Sequence, residues 1–345
     1  MSSVLASEYL DDEFTNQRIA KQKVTNHKLS SSKFSDKKSV DSLGVGGIQQ
    51  DQYPSRLYSE PMYIQRQDPI IYANDQLKAP LDEVLLDHYE KNGFLFLDDI
   101  FSDEEVINMQ KHMQCLRDDG EIKQREESVT EADSGDIRSV FDVHKLDAFI
   151  KSVAEDPRLV RIAEYLLGDE VYLHQTRLNY KPGFRGKEFY WHSDFETWHV
   201  EDGMPRMRAL SMSITLTPND HHNGPLLLIP GSHHTYVSCV GETPENNYLS
   251  SLKTQNVGVP DDVSLQSLIE QNGIEAAVGQ PGRIILFDCN VLHGSNGNIT
   301  SSPRSNLFFV YNALSNRVVS PFGNTTPRPE YIAARKSIKA LKKSD

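Results

Sequence analysis

Apolar residues recur along this chain with two different periods, and the change of period divides it. Over residues 81–91, Leu81, Val84, Leu85 and Tyr89 share one helical face, and Asn92-Gly93 follows as a helix-ending pair. A short strand is predicted over 94–97. Ser102 and Glu105 then have the spacing of a capping box ahead of Val106, Ile107, Met113 and Leu116, which predicts a second helix to about Arg117. Two more helices are predicted over 146–153 and 157–167, the latter with Pro157 at its start and Gly168 after its end. The acidic stretch between these pairs, 118–136, reads as a solvated loop.

From Val171 to Leu314 the pattern becomes short alternating runs separated by Pro, Gly and Asn, notably 171–180, 207–217, 226–229, 283–287 and 307–311. The fold class is therefore mostly β with flanking helices, an antiparallel sandwich or barrel. Strict alternation in the first run puts Val171, Leu173, Gln175, Arg177, Asn179 and Lys181 on one face and Tyr172, His174, Thr176, Leu178 and Tyr180 on the other. A half-polar face of this kind suits solvent on statistics alone. Its position just ahead of a candidate metal motif favours a barrel interior that holds a charged ligand. The segment 240–272 is long and polar for a β domain, which points to a lid.

Residues 1–52 carry Ser-, Lys- and Gly-rich runs and few large apolar side chains, so they are expected to be a disordered extension ahead of one domain spanning 53–345. Glu8, Asp11, Asp12 and Glu13 argue against a transit peptide. The 36 basic and 49 acidic residues give a net charge of −13, which excludes nucleic acid and an anionic membrane as expected partners. The three cysteines, Cys115, Cys239 and Cys289, are too widely spaced for a disulfide framework or a paired-cysteine zinc site. A reducing, cytoplasmic setting is expected, with neither a membrane span nor the apolar core of a secretory signal in the sequence.

The candidate chemistry lies in Phe189-Tyr-Trp-His-Ser-Asp-Phe-Glu-Thr-Trp-His199. His192 and Asp194 are separated by one residue, so on an extended strand both point the same way and form a two-ligand claw. His293, just past a turn and strand at 282–288, is the candidate third ligand. Two histidines and one carboxylate on one face of an octahedral iron leave three cis positions for oxygen and a chelating cosubstrate. Taken alone, a His-x-Asp pair more often marks a hydrogen-bonded histidine. A tetrahedral zinc site with Glu196 or Glu201 as general base is also compatible with these residues. His221-His222 and His233-His234 are adjacent pairs that face opposite ways, and His199 could be a hydrogen-bonding loop residue. Arg304, opening the next apolar run, could grip a carboxylate with both arms of its fork or make a surface ion pair.

His192-Ser-Asp194, Asn223-Gly-Pro-Leu-Leu-Leu-Ile-Pro-Gly-Ser-His233, and Phe287-Asp288 leading to His293-Gly-Ser295 and Arg304 resemble the phytanoyl-CoA-hydroxylase-like branch of the iron(II)- and 2-oxoglutarate-dependent dioxygenases. The string from Phe189 to Pro205 is similar to the signature of the ectoine 5-hydroxylase group in that branch. The resemblance runs from about Tyr53 to the C-terminus, and the N-terminal extension departs from it. It implies a double-stranded β-helix (jelly roll, cupin-like) with His192, Asp194 and His293 as iron ligands. It further implies that Arg304, Ser295 and Lys181 hold the far carboxylate of 2-oxoglutarate, with Asn179 nearby. Gln175 would hydrogen-bond ectoine and Trp198 pack against its ring, an amidinium that an indole face attracts. The implied reaction is hydroxylation of ectoine to 5-hydroxyectoine, a compatible solute, with O2 consumed and succinate and carbon dioxide released; a homodimer is also implied. Asp194 itself favours hydroxylation, since related halogenases lack the carboxylate. Two other outcomes stay open at this point: a different small-molecule substrate, and a non-catalytic metal-binding barrel.

Overall fold

The alternating runs become the strands β1 (Tyr63–Gln65), β2 (Phe94–Leu97), β3 (Ser128–Thr130), β4 (Ile137–Phe141), β5 (Val171–Lys181), β6 (Phe189–His192), β7 (Ala209–Thr215), β8 (Leu226–Leu228), β9 (Thr235–Val237), β10 (Glu275–Ala276), β11 (Ile284–Asp288), β12 (His293–Ser295) and β13 (Arg304–Ala313). They belong to a computed structural model that describes residues 51–73, 78–131, 135–336 and 338–341. Apart from residues 51 and 52, the expected N-terminal extension lies outside the described residues. A seven-stranded sheet runs in the order β2-β11-β7-β13-β5-β4-β3, a four-stranded sheet in the order β10-β8-β12-β6, and β1 pairs with β9. Every pairing is antiparallel, as a jelly roll requires.

The central strands are buried on both faces, and the alternation of side chains decides what each face meets. Along β11, Ile284 and Leu286 join the core beneath the helices, while Ile285 and Phe287 join a second cluster with Leu226, Leu228 and Phe308 from the interior between the sheets. Helices Glu83–Asn92, Asp103–Asp118 and Pro157–Leu167 cover the outer face through Tyr89, Val106, Met109, Met113 and Leu166. The first begins at Glu83, capped by Asp82, two residues later than expected, and the caps expected from the sequence form. Gly93 and Gly168 cap in the left-handed conformation, and Ser102 and Glu105 make both bonds of the capping box. None of the described helices is long and apolar enough to cross a membrane.

Three expectations need correction. The single helix over 146–153 is two, Val143–Leu146 and Ala148–Ala154, divided by Asp147, whose extended backbone lets its carboxylate cap the second. The acidic loop contains a helical turn, Gly120–Lys123, and then β3, which forms the edge of the large sheet. The alternation along β5 is broken, because Gln175 pairs with Val310 and Leu173 with Tyr311, leaving His174 as the extra residue of a β-bulge. The bulge puts Val171, Leu173 and Leu178 on the helix side.

Candidate active site

His192 ends β6 and His293 begins β12, and the two are directly paired across the small sheet. Their rings lie 4.3 Å apart, centre to centre. Asp194 is not on the strand. Ser193 keeps the extended backbone, and Asp194 is the first residue of a helical turn, yet its carboxylate still faces both rings. Its Oδ1 is 3.8 Å from His192 Nε2 and 3.9 Å from His293 Nε2, and one ligand atom from each of the three residues lies within 4.8 Å of the other two.

The protonation of the rings follows from their other nitrogens. His192 Nδ1 donates to the carbonyl of Tyr190 at 2.8 Å and His293 Nδ1 to that of Val291 at 2.9 Å. A carbonyl only accepts, so each Nδ1 carries the proton and each Nε2 lone pair is free for a metal. Burial, and then the neighbouring His293, pushes His192 down to about 3; burial also lowers His293. Two neutral imidazoles and a carboxylate, aimed at one point, fit a divalent ion with oxygen-binding positions left over.

The two histidines open onto a cavity walled by Phe189, Leu226, Leu252, Phe308 and an unusual set of cations, Arg138, Arg177, Lys181 and Arg304. Lys181 ends β5 opposite Arg304, which opens β13, so the two sit side by side in the large sheet. Lys181 Nζ donates to Ser295 Oγ at 2.9 Å and to the carbonyl of Asn296. Burial, then Arg304 and Arg138, depresses Lys181 to about 6. Burial, then Arg177 and Arg138, depresses Arg304 to about 10, and the Nε atoms of Arg304 and Arg177 have no hydrogen-bond partner among the described residues. Arg138 has the Glu131 carboxylate 3.6 Å away, but no carboxylate pairs with Arg177, Lys181 or Arg304 among the described residues; buried cations so placed are costly, so this wall is built for an anion.

Every residue expected at the cosubstrate site is here. Asn179 also lines the cavity and accepts from Ser139 Oγ at 2.9 Å. The two expected substrate contacts are buried but lie outside the cavity wall. Gln175 donates to the carbonyl of Ile332 at 2.8 Å, and Trp198 packs with Tyr53, Phe195 and Met204, with His174 against it at 5.3 Å. Arg177, stacked 4.6 Å over Phe308, and Arg138 were not assigned a role from sequence. Arg177 stood on the polar row of β5; Arg138 gave no signal, because its strand pairs with residues of β5 that are 36–40 positions away.

The glutamates considered as zinc-site bases are elsewhere. Glu196 and Glu201 are buried and both bonded to Arg56, at 2.7 Å each. Burial alone would raise Glu196, but Arg56 overrides it and holds the carboxyl below its ordinary range, which suits an ion-pair member and not a base. The weaker histidines are accounted for likewise: His233 Nε2 meets the carbonyl of Glu90 at 3.1 Å, and His199 lies between the Met204 carbonyl and Asp51.

Known proteins resemble this chain in sequence and in fold. The profile of the phytanoyl-CoA dioxygenase (PhyH) family matches residues 89–306. An ectoine dioxygenase of Sphingopyxis alaskensis is 53% identical over 293 residues, covering 85% of this chain and 96% of that protein. The ectoine dioxygenase of Halomonas elongata is 47% identical over 287 residues, 82% of this chain and 86% of that protein. The crystal structure of EctD from S. alaskensis with 2-oxoglutarate and 5-hydroxyectoine superposes with a TM-score of 0.78 at 49% identity, covering 85% of this chain and 97% of that one. The carbocyclase SnoK, at 17% identity and a TM-score of 0.53 over 68% of this chain and 84% of its own, shares the fold. A profile match over well over half the chain, with relatives about half identical over nearly their full length, makes this protein a member of the phytanoyl-CoA dioxygenase family of iron(II)- and 2-oxoglutarate-dependent enzymes.

Proposed function

We propose that the protein hydroxylates ectoine to 5-hydroxyectoine with iron(II), 2-oxoglutarate and O2, releasing succinate and carbon dioxide. The observation that carries this reading is one cavity in which the His192–Asp194–His293 cluster adjoins cations short of anions, in a chain about half identical to ectoine dioxygenases. Bound iron supplies oxygen activation coupled to decarboxylation of the cosubstrate. The chain supplies the rest.

His192, Asp194 and His293 hold the metal, with the imidazole protons kept on Nδ1 by the main chain. Arg304, Lys181 and Ser295 receive the far carboxylate of 2-oxoglutarate, with Asn179 beside them. Its charge returns Lys181 toward full protonation and offsets the repulsion within the wall. That leaves the Arg177 guanidinium for the carboxylate of the substrate; its amidinium ring we assign to Trp198 and Gln175, which lie outside the cavity wall and would have to turn toward it on binding. Phe189, Leu226 and Phe308 keep the cavity apolar where carbon is oxidised, and Leu252 brings the 240–272 segment to its mouth, the placement a lid needs. The homodimer and the cytoplasmic location implied by the family resemblance belong to the same proposal; light scattering on the purified protein tests the first.

The decisive assay supplies iron(II), 2-oxoglutarate, ascorbate and O2 with and without ectoine, and follows succinate and the mass of the product. Ectoine-dependent succinate together with a product one oxygen heavier is the expected result. Succinate formed equally without ectoine, and no heavier product, would point to another substrate; no succinate at all, to a binding protein.

A further inference from the structure

The segment from Asp51 to Asp68 lies ahead of the residues matched by the family profile, and two of its arginines are buried deep in the protein. Each reaches one of the two chain segments that carry the cluster. Arg56 grips Glu196, two residues after Asp194, with Nε at 2.9 Å and Nη2 at 2.7 Å, and places Nη1 2.7 Å from Glu201. Arg66 grips Asp288, five residues before His293, with Nη1 at 2.8 Å and Nη2 at 3.0 Å. Both carboxylates are held bidentately, the geometry that fixes orientation as well as distance.

The two gripped segments are also tied to each other next to the ligands. Ser193, between His192 and Asp194, donates to Asn290 Oδ1 at 3.0 Å, and the amide of Phe195 donates to the carbonyl of Cys289 at 2.8 Å. Asn290 in turn donates its amide to Asp288 Oδ1 at 2.8 Å. A continuous path therefore runs from Arg66 through Asp288, Asn290 and Ser193 to Asp194, and closes through Glu196 onto Arg56. Arg56 has a φ of 58°, a left-handed conformation that a non-glycine residue keeps only when its surroundings enforce it. Gly258 comes so close to the Arg56 and Glu196 side chains that no Cβ fits there.

We infer that this N-terminal strap is a positioning clamp, in which Arg56 and Arg66 set the separation of Asp194 from His293 without touching metal or substrate. The inference rests on the iron-dependent reading above and assigns the ligand geometry to residues outside the jelly roll.

The test uses the full-length protein with Arg56→Lys and Arg66→Lys, which keep each charge and remove each fork. Cobalt(II) binding is followed by its visible absorption, hydroxylated product is counted per succinate, and the melting temperature is taken without metal. The clamp predicts cobalt binding weakened about tenfold and product per succinate below the wild-type ratio in both variants. Wild-type cobalt affinity and wild-type coupling would overturn it, even with a lower melting temperature, since that is what a purely structural strap gives. If a lysine variant does not fold, Ser193→Ala, which deletes the side-chain bridge between the segments and keeps the Phe195–Cys289 backbone bond, takes the same measurements: weaker cobalt binding supports the clamp and unaltered binding refutes it. Cobalt binding needs no substrate, so a wild-type protein inactive on ectoine would count against the proposed function and leave the clamp to be judged separately.

Discussion

Along its strands β7 and β13 the seven-stranded sheet is buried on both faces, and the two faces are chemically opposite. On β7, Leu210, Met212 and Ile214 lie under the helices, whereas Ser211, Ser213 and Thr215 point the other way, and all six are fully buried. The same split recurs on β13, where Leu307, Phe309 and Tyr311 oppose Arg304, Asn306 and Phe308. Burying a large apolar side chain contributes about 1.5–3 kcal/mol, while a satisfied buried hydrogen bond nets only about 0.5–1.5 kcal/mol. The outer face therefore carries more of the stability, and the inner face, apart from the Ile285–Phe287–Phe308 cluster, gives up part of it to hold charge where the reaction takes place.

That division breaks most sharply at Asp194. Asp194→Ala or His192→Ala abolishes 5-hydroxyectoine formation and cobalt absorption while circular dichroism stays that of the folded protein; activity retained in both would dissolve the inner-face assignment. On the outer face, Phe309→Ala leaves a large cavity and costs ~3–5 kcal/mol in urea unfolding, with cobalt affinity of the folded protein unchanged. Arg304→Gln removes a charge-assisted fork, so KM for 2-oxoglutarate rises roughly 10- to 100-fold with a smaller fall in kcat, as steady-state kinetics will show.

Lys181→Met sharpens the contrast further, because it makes the ligand-free protein more stable. The folded pKa of Lys181, about 6, lies below its ordinary 10.5, so the folded state binds fewer protons across that window and its stability rises with pH. The advantage of Lys181→Met is therefore largest below pH 6 and shrinks toward pH 10.5 in unfolding titrations without 2-oxoglutarate. The smallest effect belongs to the helix layer: Ser102→Ala loses one side of the capping box and about 1 kcal/mol by thermal unfolding, without altering turnover.

What could be read from the sequence was local. Ser102 with Glu105, and Pro157 with Gly168, marked helix ends because caps act within one turn. His192, Asp194 and His293 were legible because a claw at one-residue spacing and a histidine after a strand are short patterns. The bulge at His174 was not, since an unpaired residue is defined by its partner strand more than a hundred positions away. β3 hid in a charged stretch because an edge strand keeps one side in water and needs no apolar run. The pairings of Arg56 with Glu196 and of Arg66 with Asp288 span 140 and 222 residues, and no periodicity announces an ion pair at that distance.

The aim of each ligand imidazole is set by a peptide carbonyl two positions earlier in the same stretch of chain, at Tyr190 and Val291. Ligand orientation is thus written in the main chain, which every residue type shares. Tyr190 can be exchanged without redirecting its histidine, and substrate range can be re-engineered around the mouth of the cavity while the metal's seat stays as it is.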